Sequence, residues 1–282
     1  MRILVTGATG FIGNQVVKEL LKSNVEVVAT SRSEEKAQRY PWVSKVIYVP
    51  CDLNESQEDF FSFFERPDSL IHLAWEGLPN YKELFHFERN VPTSYNFIKN
   101  MVQHGLSDLV VTGTCLEYGM QNGCLKEDLE TKPKTPYGLA KDTLRKYLEQ
   151  LCIRYPVTFK WVRLFYVYGQ GQRNTSLLSQ LEVAIQRGEK TFNMSGGEQL
   201  RDYLPVETVA EYIATIAVQK KVQGIINCCS GRPVSILKFV EQYLKEKAYS
   251  IKLNLGYYSY PDYEPMAFWG DNSKLQRILC KK

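Results

Sequence analysis

Ile3-Leu4-Val5-Thr6-Gly7-Ala8-Thr9-Gly10-Phe11-Ile12-Gly13 decides the fold of this 282-residue chain. Ile3-Thr6 is an apolar run of strand length, and Ile12, Val16 and Leu20 then recur every four residues on one helical face. Gly7, Gly10 and Gly13 sit between the two, spaced GxxGxxG. Glycine there permits a tight turn and close approach of backbone to a phosphate, while the free N–H groups at a helix start favour negative charge. Strand, glycine turn and helix in that order are the context a dinucleotide-binding loop requires; spacing alone is not enough.

Outward from this loop, strand-length apolar runs alternate with helical periodicity. Ile3-Thr6, Val25-Thr30, Val46-Val49, Leu70-Ala74, Leu109-Thr112 and Lys160-Phe165 read as strands, and Leu144, Leu148 and Leu151 mark a helical face before the last of them. This alternation predicts an α/β fold, a doubly wound and mostly parallel sheet of Rossmann type with its ligand site at the carboxyl ends of the strands. After Phe165 the pattern loosens; a helix returns near Val206-Val218 and a strand near Ile225-Cys228. Ser235 starts one more helix, with Ile236, Phe239, Val240 and Tyr243 on one face. Residues 1–165, rejoined by 206–230, are therefore expected to form the dinucleotide domain. Residues 166–205 and 231–282 are expected to form a small interleaved C-terminal α/β cap over the substrate.

Composition narrows the function classes. With 44% apolar and 23% charged residues the chain is of ordinary globular make-up. A net charge of +4 with Lys and Arg scattered provides no polybasic face for nucleic acid or a membrane surface. No apolar stretch approaches the roughly 20 residues of a membrane helix, and Met1-Arg2 leads into a strand rather than a signal peptide. The seven cysteines are odd in number and lack metal-ligand spacing, so no disulfide framework and no metal is expected, and a reducing cytoplasm fits.

An NAD site places Asp or Glu against the adenosine ribose at the end of the second strand. Here that end reads Ala29-Thr30-Ser31-Arg32-Ser33. Without a carboxylate, Arg32 with Ser31 or Ser33 suits a 2′-phosphate, and NADPH is expected over NADH. The plainer alternative for Arg32 is a solvated loop arginine. The third strand ends in Cys51-Asp52-Leu53, placing Asp52 for the adenine amino group, and the fourth ends in His72-Leu73-Ala74-Trp75. His72, inside an apolar run, reads as a packed core histidine rather than a base.

Thr135-Pro136-Tyr137-Gly138-Leu139-Ala140-Lys141 carries the chemistry. Thr135 suits an N-cap and Pro136 a first helical position, so Tyr137 and Lys141 fall i, i+4 on one face of a new helix. An ammonium beside a phenol is expected to pull the tyrosine pKa from about 10 toward neutrality and make Tyr137 a general acid or base. Thr114, past the fifth strand, is placed to share the oxygen that Tyr137 protonates. Thr112 is its rival, and the bland alternative is that β-branched threonine simply belongs in strands.

TGATGFIG, the segment Thr114-Cys115-Leu116-Glu117-Tyr118-Gly119, YGLAK, Arg163-Leu164-Phe165-Tyr166-Val167-Tyr168-Gly169 and Arg201-Asp202-Tyr203 resemble extended short-chain dehydrogenases/reductases, the NAD-dependent epimerase/dehydratase family acting on nucleotide sugars. The resemblance spans nearly the whole chain. It implies a catalytic set of Thr114, Tyr137 and Lys141, with Lys141 also on the nicotinamide ribose. It implies Thr114, Tyr166 and Arg201 at the substrate, Arg201 against the diphosphate; an internal Arg201–Asp202 ion pair is the competing reading. The full set expected at the cofactor is Gly7, Thr9, Gly10, Phe11, Ile12, Gly13, Ser31, Arg32, Asp52, Leu53, Leu73, Ala74, Trp75, Thr112, Tyr137, Lys141 and Phe165.

Two departures from the family pattern matter. Where 4,6-dehydratases follow the threonine with Asp-Glu, this chain has Cys115-Leu116, which argues against dehydration; where Asn often precedes Val-Tyr-Gly, it has Tyr166. The tail from Asp262 to Asp271 is similar to reductases of 4-keto-6-deoxy nucleotide sugars. The expected activity is NADPH-dependent reduction of the 4-keto group of a 6-deoxyhexose on a nucleotide, dTDP foremost, with Tyr137 as general acid. A 4-epimerase is the second reading and a catalytically silent NADPH-binding regulator the third. The resemblance also implies a homodimer pairing through Leu84-Val102 and the YxxxK helix, the former broken or kinked at Pro92.

Overall fold

Ile, Leu and Val fill the strands because helices cover both faces of the sheet. The computed structural model describes residues 1–280. Strands β1 (Arg2–Thr6), β2 (Glu26–Thr30), β3 (Ile47–Tyr48), β4 (Ser69–His72), β5 (Asp108–Thr114), β6 (Thr158–Leu164) and β7 (Gly224–Cys228) form one sheet. It is parallel throughout, in the order β3-β2-β1-β4-β5-β6-β7. The order reverses between β1 and β4, so the connections from these two strands diverge and leave a crevice at their carboxyl ends. This is the doubly wound arrangement expected from the alternating pattern.

The six expected strands are present with shifted ends. β3 is reduced to two residues because it is an edge strand paired only with β2. β5 runs two residues further than expected, to Thr114, because all seven of its residues pair with β6.

Side chains alternate across the sheet, Ile3 and Val5 to one face and Leu4 to the other. The first face is covered by α1 (Phe11–Leu20) and by the helix Val206–Val218, whose Val209 and Ile213 pack with Val16, Val17 and Leu20. The second is covered by α2 (Val91–Gln103) and α3 (Pro136–Arg154), which bring Phe97, Ile98, Leu144 and Leu148 against Leu4 and Leu109. A separate apolar cluster joins the helices Leu177–Gln186 and Ile236–Glu246 through Leu178, Leu181, Phe192, Phe239 and Val240.

Helix starts follow local chemistry. Thr135 Oγ1 accepts the Gly138 N–H at 3.0 Å with Pro136 in the first turn, and Ser235 caps its helix through Lys238 N–H. Pro92, where a break or kink is expected, falls where a π-helical turn, His86–Asn90, gives way to α2 with the backbone helical on both sides. It lies in the first turn of α2, where its missing N–H costs nothing. No helix among the described residues is long and apolar enough to cross a membrane.

Candidate active site

The crevice at the carboxyl ends of β1 and β4 is a cleft of about 310 Å³. Of the residues expected at the cofactor, Gly7, Thr9, Gly10, Ser31, Arg32, Asp52, Leu53, Leu73, Ala74 and Trp75 line it. Gly7 has φ +67°, a conformation that favours glycine, and its N-terminal neighbour strand delivers it against the backbone of Ala74, 3.0 Å from where a Cβ would sit. Gly13 does not line the cleft. A Cβ there would collide with the Gly7 carbonyl, so its role is to let α1 press against the loop.

Six other expected cofactor residues also stand outside the cleft wall: Tyr137 and Lys141, described below, and four more, each for a physical reason. Ile12 packs on the core beneath α1, and the Phe11 ring faces Gly171. Thr112 directs Oγ1 to the His72 carbonyl at 3.4 Å and offers its own carbonyl to Lys141. Phe165 belongs to an apolar cluster with Tyr118, Leu125, Cys229 and Phe268.

The edge beside β2 is cationic, with Arg32 and Lys36 both on the cleft. The Arg32 guanidinium contacts the Glu76 carboxylate from across the cleft. Asp52 accepts the Asn54 N–H at 3.0 Å and its side-chain amide at 2.7 Å, which hold its carboxyl below the usual carboxylate range. His72 is the core histidine expected. Thr6 Oγ1 accepts N–H bonds from Leu73 and Ala74, so it donates to His72 Nδ1 at 2.9 Å, which leaves Nε2–H to face Ser94 Oγ at 3.2 Å. Burial, reinforced by the charge on Lys141, pushes its pKa down to about 3, and it is neutral in ordinary buffers.

Thr114 ends β5 and caps the 3-10 turn Cys115–Glu117. Its Oγ1 accepts the Leu116 N–H at 3.3 Å, and Glu117 Oε1 accepts the Thr114 N–H at 2.8 Å. Glu117 is wholly buried and also takes Trp161 Nε1–H at 3.0 Å and Arg163 Nε–H at 2.7 Å. The amino end of α3 presses on this turn so closely that a Cβ on Gly138 would lie 2.7 Å from the Leu116 carbonyl oxygen. That approach brings Tyr137, next in sequence to Gly138, to Thr114.

Tyr137 is 7% exposed. Its N–H donates to the Tyr81 carbonyl at 3.1 Å, and its ring packs with those of Tyr81, His86 and Trp75 at 5.4, 5.2 and 6.1 Å. Burial pushes its pKa well above the ordinary value, with Tyr81 and Glu117 acting in the same direction and a hydrogen bond with Thr114 opposing them. The expected lowering of Tyr137 by Lys141 is thus corrected. Lys141 is itself 2% exposed, and burial lowers its own pKa to about 7, so near neutrality it is no longer a full charge. Its Nζ donates to the Thr112 carbonyl at 2.9 Å.

Of the residues expected at the substrate, Arg201 is wholly buried. Nη2 pairs with Glu264 at 2.9 Å, Nε donates to Tyr166 Oη at 3.1 Å, and Nη1 donates to the carbonyls of Leu200 at 2.8 Å and Met266 at 3.3 Å. The adjacent Asp202 is not its partner, contrary to the competing expectation. That carboxylate turns away and accepts the N–H groups of Ser230 at 2.7 Å and Gly231 at 2.9 Å and the Ser230 hydroxyl at 2.7 Å. Four of the five guanidinium N–H groups are thus engaged within the protein, and the Glu264 carboxylate occupies the anion position on Arg201.

The sequence reading missed Tyr81, His86, Glu117 and Glu264 as members of this site. Thr114-x-x-Glu117 fits the reciprocal capping pattern and was the available signal for one of them. Tyr81, His86 and Glu264 lie where no periodicity marks a buried face.

The model of the NAD dependent epimerase/dehydratase family matches residues 3–229. "dTDP-6-deoxy-L-talose 4-dehydrogenase (NAD(+))" of Aggregatibacter actinomycetemcomitans is 30% identical over 271 residues, 96% of this chain and 99% of that protein. "GDP-6-deoxy-D-talose 4-dehydrogenase" of the same organism is 26% identical over 99% of this chain and 91% of its own length. Among solved structures, MoeE5 in complex with UDP-glucose and NAD is similar at a TM-score of 0.84 with 27% identity, covering 99% of this chain and 92% of that one.

Proposed function

Because the chain belongs to the NAD dependent epimerase/dehydratase family, we propose that it is a nucleotide-sugar oxidoreductase acting at C4. In this reading it reduces the 4-keto group of a 6-deoxyhexose, dTDP-linked foremost, with NADPH. The observation that carries it is the meeting of Thr114 and Tyr137 at the carboxyl end of β5, with Lys141 one helical turn away and next to Trp75 of the cleft wall. The talose relatives support the position of reaction, since a 4-dehydrogenase run in reverse reduces a 4-ketone.

The cleft fits a dinucleotide, because Gly7 and Gly10 line it at the amino end of α1, where a pyrophosphate is favoured. Bound there, the nicotinamide group supplies hydride-transfer chemistry. Tyr137, neutral through burial, holds the proton that the C4 oxygen needs, and the Thr114 hydroxyl steadies charge developing on that oxygen. The Lys141 ammonium stabilises the phenolate left behind. Cys115 and Leu116 offer no carboxyl for proton movement at C5, which fits reduction better than elimination.

Ser31, Arg32, Ser33 and Lys36 with no carboxylate on the β2 edge support NADPH, with a 2′-phosphate taking the place of Glu76 on Arg32. The talose relative is named for NAD(+) and MoeE5 binds NAD, which favours NADH, and a direct comparison of the two cofactors decides between them. Arg32→Ala is expected to weaken NADPH binding about 10- to 100-fold and leave NADH binding unchanged, and a wild-type preference for NADH removes the role given to Arg32.

The deciding experiment mixes the purified protein with NADPH or NADH and 4-keto-6-deoxyhexoses on dTDP, GDP or UDP, following loss of reduced nicotinamide and product stereochemistry. Consumption with one C4 configuration supports the reductase. C4 interconversion without consumption identifies the 4-epimerase, which uses the same three residues. A pairing of two chains through α3 is supported by exposed Leu139, Tyr147 and Ile153, and sedimentation velocity tests it.

A further inference from the structure

Two rings stand between the cleft and the catalytic pair, and the mechanism above uses neither. Trp75 lines the cleft on one side. On the other its indole lies over the Lys141 amine, with Nζ 3.8 Å from the ring centroid. The hydrogen-bond acceptor of that amine is the Thr112 carbonyl. Glu117 acts on it only through space, its carboxylate being committed to Thr114, Trp161 and Arg163. Lys141 also acts on His72 and His86, whose pKa values burial, with the lysine's own charge, pushes down, and burial raises that of Tyr137 on the same helix. An ammonium removed from water and given no carboxylate in contact needs a surface of negative potential, and the face of an indole supplies one.

The indole is itself held in place. Trp75 Nε1–H donates to His86 Nδ1 at 3.1 Å, and Asn90 Nδ2–H donates to the same nitrogen at 3.2 Å. His86 Nε2–H donates to the Asn80 carbonyl at 3.0 Å. Two donors on Nδ1 make it the acceptor and fix the neutral Nε2–H tautomer of a histidine that is wholly buried. His86 and Asn90 are the first and last residues of the π-helical turn ahead of α2, a turn type that recurs at functional sites.

We propose that Trp75 is a positioning residue for Lys141, its indole face holding the amine charged and aimed at the catalytic tyrosine, and that His86 acts through Trp75 by fixing the indole N–H. The role rests on the assignment of Tyr137 and Lys141 given above. Burial that pulls Lys141 to about 7 makes a small change in its surroundings decisive, because it titrates in the working range. Removing the indole favours the neutral amine, so the loss of activity as pH rises moves to lower pH.

The test uses the full chain and two readouts. In protein without added nucleotide, tryptophan emission is followed against pH; a step with its midpoint near neutrality is expected in wild type and absent from both Trp75→Phe and Lys141→Met. A step that persists in Lys141→Met overturns the contact, and this measurement needs no turnover.

In the reduction assay, Trp75→Leu is expected to move the alkaline limb of the pH profile about one unit toward acid. Trp75→Phe, which keeps a π face, recovers most of that shift. His86→Leu moves the limb in the same direction, and His86→Asn, whose Oδ1 replaces the Nδ1 acceptor, restores it. An unmoved limb in Trp75→Leu protein with a wild-type unfolding midpoint overturns the proposal. Full turnover in Tyr137→Phe overturns the site assignment instead, and the emission titration then still decides whether Trp75 and Lys141 act on each other.

Discussion

The two edges of the central sheet each bury a lysine, and they treat it in opposite ways. Toward the amino edge, Lys160 of β6 gives Nζ to both carboxylate oxygens of Asp108 at 2.9 Å, and Ser69 Oγ donates to the same carboxylate at 3.1 Å. At the carboxyl edge, Lys141 has a carbonyl and an indole face instead of a carboxylate. Burial lowers the pKa of both; at Lys160 the Asp108 charge and hydrogen bond push back, whereas at Lys141 only the charge of Glu117, out of contact, opposes it, and the amine falls to about 7. One edge neutralises its buried charge and is built for stability. The other leaves a charge poised to titrate on the same helix as Tyr137, the tyrosine proposed as general acid, and perturbed groups of this kind gather at functional sites.

The comparison breaks most visibly at Asp108. Asp108→Ala strands a buried ammonium and is expected to lower unfolding free energy by about 3–5 kcal/mol, measured by urea denaturation, while turnover per folded molecule stays at the wild-type level. Lys141→Met should do the reverse. Turnover falls at least about 100-fold in the reduction assay, and the denaturation midpoint holds or rises because a desolvated amine has been removed.

A pH series sharpens the contrast further. The folded pKa of Lys141, about 7, lies below its ordinary 10.5. Below about 7 both folded and unfolded chains carry the proton and the fold bears the whole desolvation penalty; between the two values the unfolded chain binds more protons, so stability rises with pH. The stability advantage of Lys141→Met over wild type should therefore shrink as pH climbs from 6 toward 10, and an advantage constant across that range contradicts the burial of a titrating amine. The smallest expected effect comes from Gly138→Ala, which forces α3 away from the Leu116 carbonyl. A loss of about 1–3 kcal/mol in stability and a fall in turnover with unchanged dinucleotide affinity are expected, the last measured by fluorescence titration.

Much of this site was legible because its parts are local. GxxGxxG after Ile3-Thr6 needs only a strand and a helix in sequence, and Thr135-Pro136 sets the face shared by Tyr137 and Lys141 within one helical turn. Strand ends were less legible, since β3 and β5 stop where pairing stops rather than where apolar residues do. Partners far apart in the chain left no trace. Arg201 meets Glu264 across 63 residues, Lys160 meets Asp108 across 52, and Trp75 finds Lys141 only when β4 and α3 have packed.

The sequence by itself determined the doubly wound sheet, the glycine turn and the tyrosine–lysine spacing, because each depends on periodicity or on contacts within a few residues. Only the tertiary structure decided which charges are paired. It turned Asp202 away from its neighbour, gave Arg201 to Glu264, and raised Tyr137 where proximity to lysine alone predicts a lowering. Burial is a property of the packed whole, and the balance between desolvation and partner charge has no sequence signature.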